Sequence, residues 1–389
     1  MSKYLSLILK FLCLIFIVNF NTISAQNLPY NVGNKLLVVS GGGARGAWGV
    51  GLIDTLVKMH GGYKVVMGVS TGSTMAPLIL LQKFDKLTHI YTSVSQKDIF
   101  NINPFKVKVI KDTVKTEPRL GLAAWRLIWG KKTIGETKNF RKLIDKFFIE
   151  EDFNTIKKYN LEMGVGVTNM QTGMFELKLI KDNSYNRMKD WIWASANQPL
   201  WMSYVNIDGA DYVDGGVRKV IPFEDAIKYS IDNQIDTIDV VVNNSFDPLV
   251  KGWKANKGSW FNGLVRVLEI YGVGTHQNSI QMGEILGKLY NCQVNSDIRT
   301  GTVTNIKGKD IIINIYFMPH ELADTYRDDL GFDKSRMKAI LEKGKRFFIQ
   351  SKDEGRAKLK STSRAEIQAN PNIKSFRISS DILQNSFIK

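Results

Sequence analysis

Lys35-Leu-Leu-Val-Val-Ser-Gly-Gly-Gly-Ala-Arg-Gly-Ala-Trp-Gly-Val50 is the stretch from which the fold follows. Its short apolar run, rich in branched residues, has the composition of a buried strand, and it stops at Ser40 in three glycines. From Ala44 to Val57 the spacing suits a helix. Such a strand–glycine–helix turn presents consecutive backbone N–H groups at a helix N-terminus, where the helix dipole favours negative charge. The turn is built to hold an anion, either a bound phosphate or one that forms during a reaction.

The same grammar repeats at once. Tyr63-Lys-Val-Val-Met67 reads as a second strand, Gly68-Val-Ser-Thr-Gly-Ser73 as a turn, and Thr74 to Gln82 as an apolar helix. Strands alternating with helices predict an α/β fold with a mainly parallel central sheet sandwiched by helices. Further on, Leu161–Val167 pairs with Met174–Ile180 across Gln171-Thr-Gly173, and residues 186–196 are helical. Tyr204–Ile207 and Asp211–Val213 form a hairpin about Asp208-Gly209. Strands follow at 236–244 and 310–317, with helices at 260–289 and 333–350.

The ends differ from the middle. Lys3 and Lys10 flank and interrupt an apolar run from Tyr4 to Phe20, and Thr22-Ile-Ser-Ala25 follows, the pattern of a signal peptide over residues 1–25. That places the chain outside the cytoplasm: periplasmic, outer-membrane-associated or secreted. Removing the leader also leaves Cys292 as the only cysteine, so no internal disulfide contributes. The folded domain is expected over 30–350, with its motif-bearing core at 35–226. From 351 to 389 hydrophobic content falls, which reads as a loosely ordered basic tail.

With 53 Lys and Arg against 37 Asp and Glu, the chain carries a formal charge of +16. Exported basic proteins find anionic membrane surfaces more readily than nucleic acid. The excess concentrates in a basic insertion at 103–148, expected to be helical in pieces, where Leu120-Gly-Leu-Ala-Ala-Trp-Arg-Leu-Ile-Trp129 sits among lysines. That composition suits a lid or a peripheral contact with anionic lipid, and equally a solvated face over a core helix.

Gly68-Val-Ser70-Thr-Gly72 matches the nucleophile elbow G-x-S-x-G, in which small neighbours let a sharp turn lift a serine hydroxyl out of the sheet. Gly41, Gly43 and Gly46 also satisfy G-x-G-x-x-G, but the next strand ends without the acid that a dinucleotide site needs. No Gly-Lys-Ser/Thr follows, so a P-loop fails as well. What remains is an oxyanion hole serving Ser70. A serine nucleophile needs a base. The candidates are four histidines, His60, His89, His276 and His320, of which His320 is late enough for a Ser–Asp–His order, and Asp214 in Tyr212-Val-Asp-Gly-Gly-Val217.

Taken in order, Ser-Gly-Gly-Gly-Ala-Arg-Gly (40–46), Gly-Val-Ser-Thr-Gly (68–72) and Asp-Gly-Gly (214–216) resemble the patatin-like phospholipase family. Ala194-Ser-Ala-Asn-Gln-Pro199 and Val220-Ile-Pro222 add to the similarity, which spans Lys35 to Ala226. The resemblance implies a three-layer α/β/α fold and a serine hydrolase of lipid carboxylic esters, phospholipid or acylglycerol. It implies a Ser–Asp dyad of Ser70 and Asp214, with Gly41, Gly42 and Gly43 in the oxyanion hole and Arg45 and Gly46 supporting that loop. Gly68 and Gly72 belong to the elbow, and Gly215 and Gly216 to the aspartate's motif. No cofactor and no metal are implied. Ser40 stands where the family often has Asp, and Asn197 and Gln198 where smaller or apolar residues are usual. An aspartate serving as base near neutral pH is expected to be shielded, since burial raises a carboxyl pKa.

Overall fold

A computed structural model describes residues 30–110, 113–245, a broken run within 263–285, 311–325, 330–348 and 373–378. The chain divides into Met1–Asn31 and Val32–Lys389, and the fold belongs to the second unit. The leader expected at 1–25 lies outside the described residues. β1 (Val32–Val39) and β2 (Gly62–Val69) pair in parallel, and each feeds a turn and a helix, α1 (Gly46–His60) and α2 (Thr71–Leu80). Leu36 to Val39 are fully buried, as a strand covered on both faces requires.

After α3 (Phe84–Ser93), the basic insertion departs from the expected run of helices. β3 (Phe105–Ile110) and β4 (Thr113–Pro118) form an antiparallel hairpin of their own, outside the main sheet. The alternation Lys106-Val-Lys-Val-Ile110 has period two, which is strand spacing; its lysines had suggested a helix face. Helices follow as α4 (Leu120–Ile128), α5 (Lys138–Phe147) and α6 (Glu150–Lys158).

β5 (Glu162–Asn169) extends the parallel array beyond β2 and receives β6 (Phe175–Leu179) antiparallel. Then come α7 (Tyr185–Ser195) and the hairpin β7 (Val205–Ile207) and β8 (Ala210–Asp214), turned by Asp208 and Gly209 at φ 52° and 84°. Positive φ at both central residues matches the right-handed twist of the strands. α8 (Phe223–Asp232), β9 (Thr237–Val242), β10 (Ile311–Phe317) and α9 (Lys334–Lys345) complete the core. The last strand is β11 (Ile373–Ile378), antiparallel to β10.

The sheet order is β11-β10-β9-β1-β2-β5-β8-β7, with five parallel strands at its centre. One face packs Leu36, Val38, Val65 and Met67 against Phe223 and Ile227 of α8. Alternation turns Leu37 and Val39 to the other face, where α1, α2 and α9 lie. β11 corrects the expectation of a loosely ordered tail at six of its residues. Ile373-Lys-Ser-Phe-Arg-Ile378 spaces its apolar residues as an edge strand can, and β10 offers it a free edge. The rest of that tail lies outside the described residues.

Candidate active site

β1, β2 and β9 end in register, with Val39 opposite Gly68 on one side and Val241 on the other. Ser40, Ser70 and Asn243 thus emerge together at the carboxyl edge of a parallel sheet, the edge at which such folds bind ligands. Ser70 sits at φ 55°, ψ −124°, a strained conformation for a residue with a side chain. The surroundings hold it there. Its N–H donates to Ser195 Oγ (3.0 Å), Ser195 Oγ donates to Gly166 O (2.6 Å), and Ser73 Oγ donates to Ser70 O (2.6 Å). Gly68 and Gly72 lie back to back across the turn: a Cβ on Gly68 would stand 2.3 Å from the Gly72 carbonyl carbon. This is the geometry of a nucleophile elbow.

The glycine turn lies beside it, a Cβ on Gly41 falling 3.3 Å from Ser70 Cβ. Gly42 adopts φ 150° and Gly43 φ 52°, and a Cβ on Gly42 would meet Asn243 Cβ at 2.8 Å. The expectation that all three glycines donate to an oxyanion needs narrowing. Gly41 N–H is committed to Val220 O at 3.1 Å, whereas the Gly42 and Gly43 N–H groups meet no acceptor among the described residues. Arg45 is buried and turns away to brace the loop, its Nη1 donating to Asn244 Oδ1 (2.9 Å). Gly46 opens α1 beneath Thr71.

The strands that carry Ser70 and Asp214 are linked by a change of partner along β5. That strand pairs with β2 as far as Gly166 (opposite Val69) and with β8 from Val167 (opposite Asp214), while β6 occupies its other edge. Consecutive residues of β5 therefore face the residue before Ser70 and Asp214 itself. Asp214 is buried. Its N–H donates to Asn197 O (2.9 Å), and its Oδ1 accepts the Gly216 N–H (2.7 Å). Gly215 packs against Gly166 and Val69, which keeps the aspartate's strand close to the elbow.

Ser70 and Gly43 border an apolar channel lined by Leu78, Phe140, Met202 and Phe332. The polar groups nearest its mouth are tied together: Thr71 and Thr74 hydroxyls bond the Tyr91 phenol at 2.5 and 3.0 Å. Burial pushes that phenol up to about 12, so it stays a neutral partner. None of the four histidines lines the channel. His320 begins a short helix after β10, three strand spacings from β2, or about 14 Å. Burial and the Arg45 charge hold His276 down at about 4, with its Nε2 3.2 Å from Ser245 O.

Three supports had no role assigned from the sequence, although Ser195 lies within the quoted segment Ala194–Pro199. Asn243 donates its backbone N–H to Ser40 Oγ (2.8 Å) and its side-chain amide to Ser40 O (3.0 Å), fixing the start of the glycine turn. Asn244 holds Arg45, and Ser195 holds the Ser70 amide. Only the position of Asn243-Asn244 just after an apolar strand could have singled them out.

Comparison with known proteins bears on the motif-bearing half. The family model described as Patatin-like phospholipase matches residues 37–227. Among solved structures, VipD from Legionella pneumophila aligns with a TM-score of 0.34 at 11% identity, covering 80% of this chain and 67% of that one. No curated protein matches.

Proposed function

We infer that this chain, a member of the patatin-like phospholipase family through residues 37–227, performs its lipid acyl hydrolysis with a dyad of Ser70 and Asp214. The observation that supports the reading is Ser70 at positive φ in the lining of an apolar pocket, together with a buried Asp214 whose partner on β5, Val167, directly follows the residue facing Val69. Ser70 Oγ attacks the acyl carbonyl carbon while its proton passes to the Asp214 carboxylate. The carbonyl oxygen becomes an oxyanion that accepts the Gly42 and Gly43 N–H groups. The intermediate collapses, the alkoxide leaving group takes the proton back from Asp214, and the acyl chain stays on Ser70 in the channel. Water then attacks the acyl-enzyme, giving its proton to Asp214. Ser70 recovers that proton as the fatty acid departs.

Fatty acid release from phospholipid and from acylglycerol by the purified protein tests this, beside Ser70→Ala and Asp214→Asn. Each variant is expected to lose at least about 10²–10³ in rate, and activity persisting in Ser70→Ala would overturn the dyad. His320→Ala should leave the rate unchanged; its loss would favour a histidine base. Lipid binding without any hydrolysis would mark a lipid-binding protein that keeps the fold. The charged and apolar pattern of residues 1–25 supports export, and mass spectrometry of the protein recovered outside the cytoplasm should place its first residue just after Ala25.

A further inference from the structure

α4 turns its apolar side outward. Leu120, Trp125, Leu127, Ile128 and Trp129 are exposed by 57, 53, 75, 82 and 66%, which is the reverse of a helix packed on a core. The Trp125 and Trp129 rings lie 6.2 Å apart and extend the patch past the helix end. The helix is nonetheless pinned. Arg126, on its inner side, is buried and donates Nε to Thr133 O (2.6 Å) and Nη2 to Glu136 Oε1 (2.9 Å). No acidic residue lies between Glu117 and Glu136 in the sequence, and the exposed cations Arg119 and Lys131 border the patch, while Lys132 is paired with Asp211 at 2.6 Å.

We propose that α4 and Trp129 form a docking face for an anionic lipid surface, with the apolar side chains entering the interface and the bordering cations meeting the head groups. Tryptophans beside leucines suit the boundary between acyl chains and head groups, and each surface lysine or arginine adds attraction to an anionic leaflet. Charge argues against a second copy as the occupant. The chain carries +16, and a symmetric contact would bring together two patches that are each bordered by Arg119 and Lys131.

The patch also shares its anchor with the channel. The loop after α4 binds the segment 197–203 through Ile134 N–H to Leu200 O (2.8 Å), Thr137 N–H to Ser203 Oγ (3.0 Å) and Thr137 Oγ1 to Asn197 Oδ1 (2.5 Å). Gln198 and Met202 of that segment line the channel at Ser70, and Asn197 O receives the Asp214 N–H. Docking would therefore hold the channel at the surface that supplies its substrate. Only this last consequence rests on the hydrolase reading.

The test separates binding from chemistry by using the full chain with Ser70→Ala. Sedimentation with vesicles of equimolar phosphatidylcholine and phosphatidylglycerol should show binding, weaker on phosphatidylcholine alone. Leu127→Asp with Ile128→Asp should weaken it at least about tenfold, given what burying two such side chains contributes. Arg119→Glu with Lys131→Glu should remove the preference for phosphatidylglycerol. In a chain that keeps Ser70, the same aspartates should leave hydrolysis of a soluble short-chain ester unchanged, showing that the fold survives. Equal binding by the aspartate variant, no binding by the parent, or a parental dimer that these substitutions dissociate would each overturn the proposal. Failure of ester hydrolysis by the parent with vesicle binding intact would count against the hydrolase reading and leave the docking face standing.

Discussion

Asn243 holds Ser40 from two sides, and only its side chain can be removed by mutation. Asn243→Ala should leave the Ser40 carbonyl without its side-chain donor and cost about 1–3 kcal/mol in urea unfolding. Asn243→Asp should cost more, because a carboxylate oxygen would face that carbonyl. Since the turn it fixes carries the Gly42 and Gly43 amides, both variants should lower kcat more than they change KM. His276 gives a prediction of a different kind. Its folded pKa, about 4, lies below the ordinary 6.5, so the unfolded chain binds the extra proton between these values. The stability tied to neutral His276 is complete above pH 6.5 and falls as pH drops towards 4, by up to about 3 kcal/mol. Between pH 6.5 and 4 the denaturation midpoint of the protein should fall relative to that of His276→Gln, which has no group to titrate there. Ser70 was legible because a strained turn demands small neighbours, and Gly68 and Gly72 flank it in plain view. Asn243 was not, because a hydrogen-bonding partner from a distant strand leaves no local pattern, and Ser195 stood in the quoted segment Ala194–Pro199 without its partner being visible.

At the level of elements, the elbow between β2 and α2 tolerates little change. Gly68→Ala would place a methyl 2.3 Å from the Gly72 carbonyl carbon, where only backbone could give way. A loss of about 3 kcal/mol or more is expected, read as a lowered midpoint or insoluble protein. Most strands and helices were legible from apolar spacing, including the β7–β8 hairpin with its Asp208-Gly209 turn. The exceptions have a common cause. In β3 the lysines dominate the composition, yet what sets the backbone is the alternation of Val107 and Val109 with Lys106 and Lys108. In β11 an equally modest alternation becomes a strand because β10 presents an unpaired edge, a fact of tertiary structure. The handover on β5 from β2 to β8 was equally invisible, although it sets Val69 and Asp214 opposite consecutive residues of one strand.

For the molecule as a whole, the family-matched half is not a self-sufficient unit. A chain ending at residue 227 would leave β1 without β9, and α1 without α9, whose backbones pack closely at Gly51 and Gly344. Leu330, Phe332 and Met337 would also be missing from the channel. Such a chain is expected to aggregate, and soluble expression with circular dichroism would check it. The sheet order has a further consequence in time. β1 is the first strand of the sheet, yet one of its edges waits for 237–242 and the strand after that for 311–317. Parallel pairings over such separations close large loops before any contact compensates for them, so the nucleus must be assembled late and slowly. Until then the fully buried strand Leu36–Val39 has an apolar face and an open ladder, and the chain is most vulnerable to self-association during the interval between its first strand and its tenth.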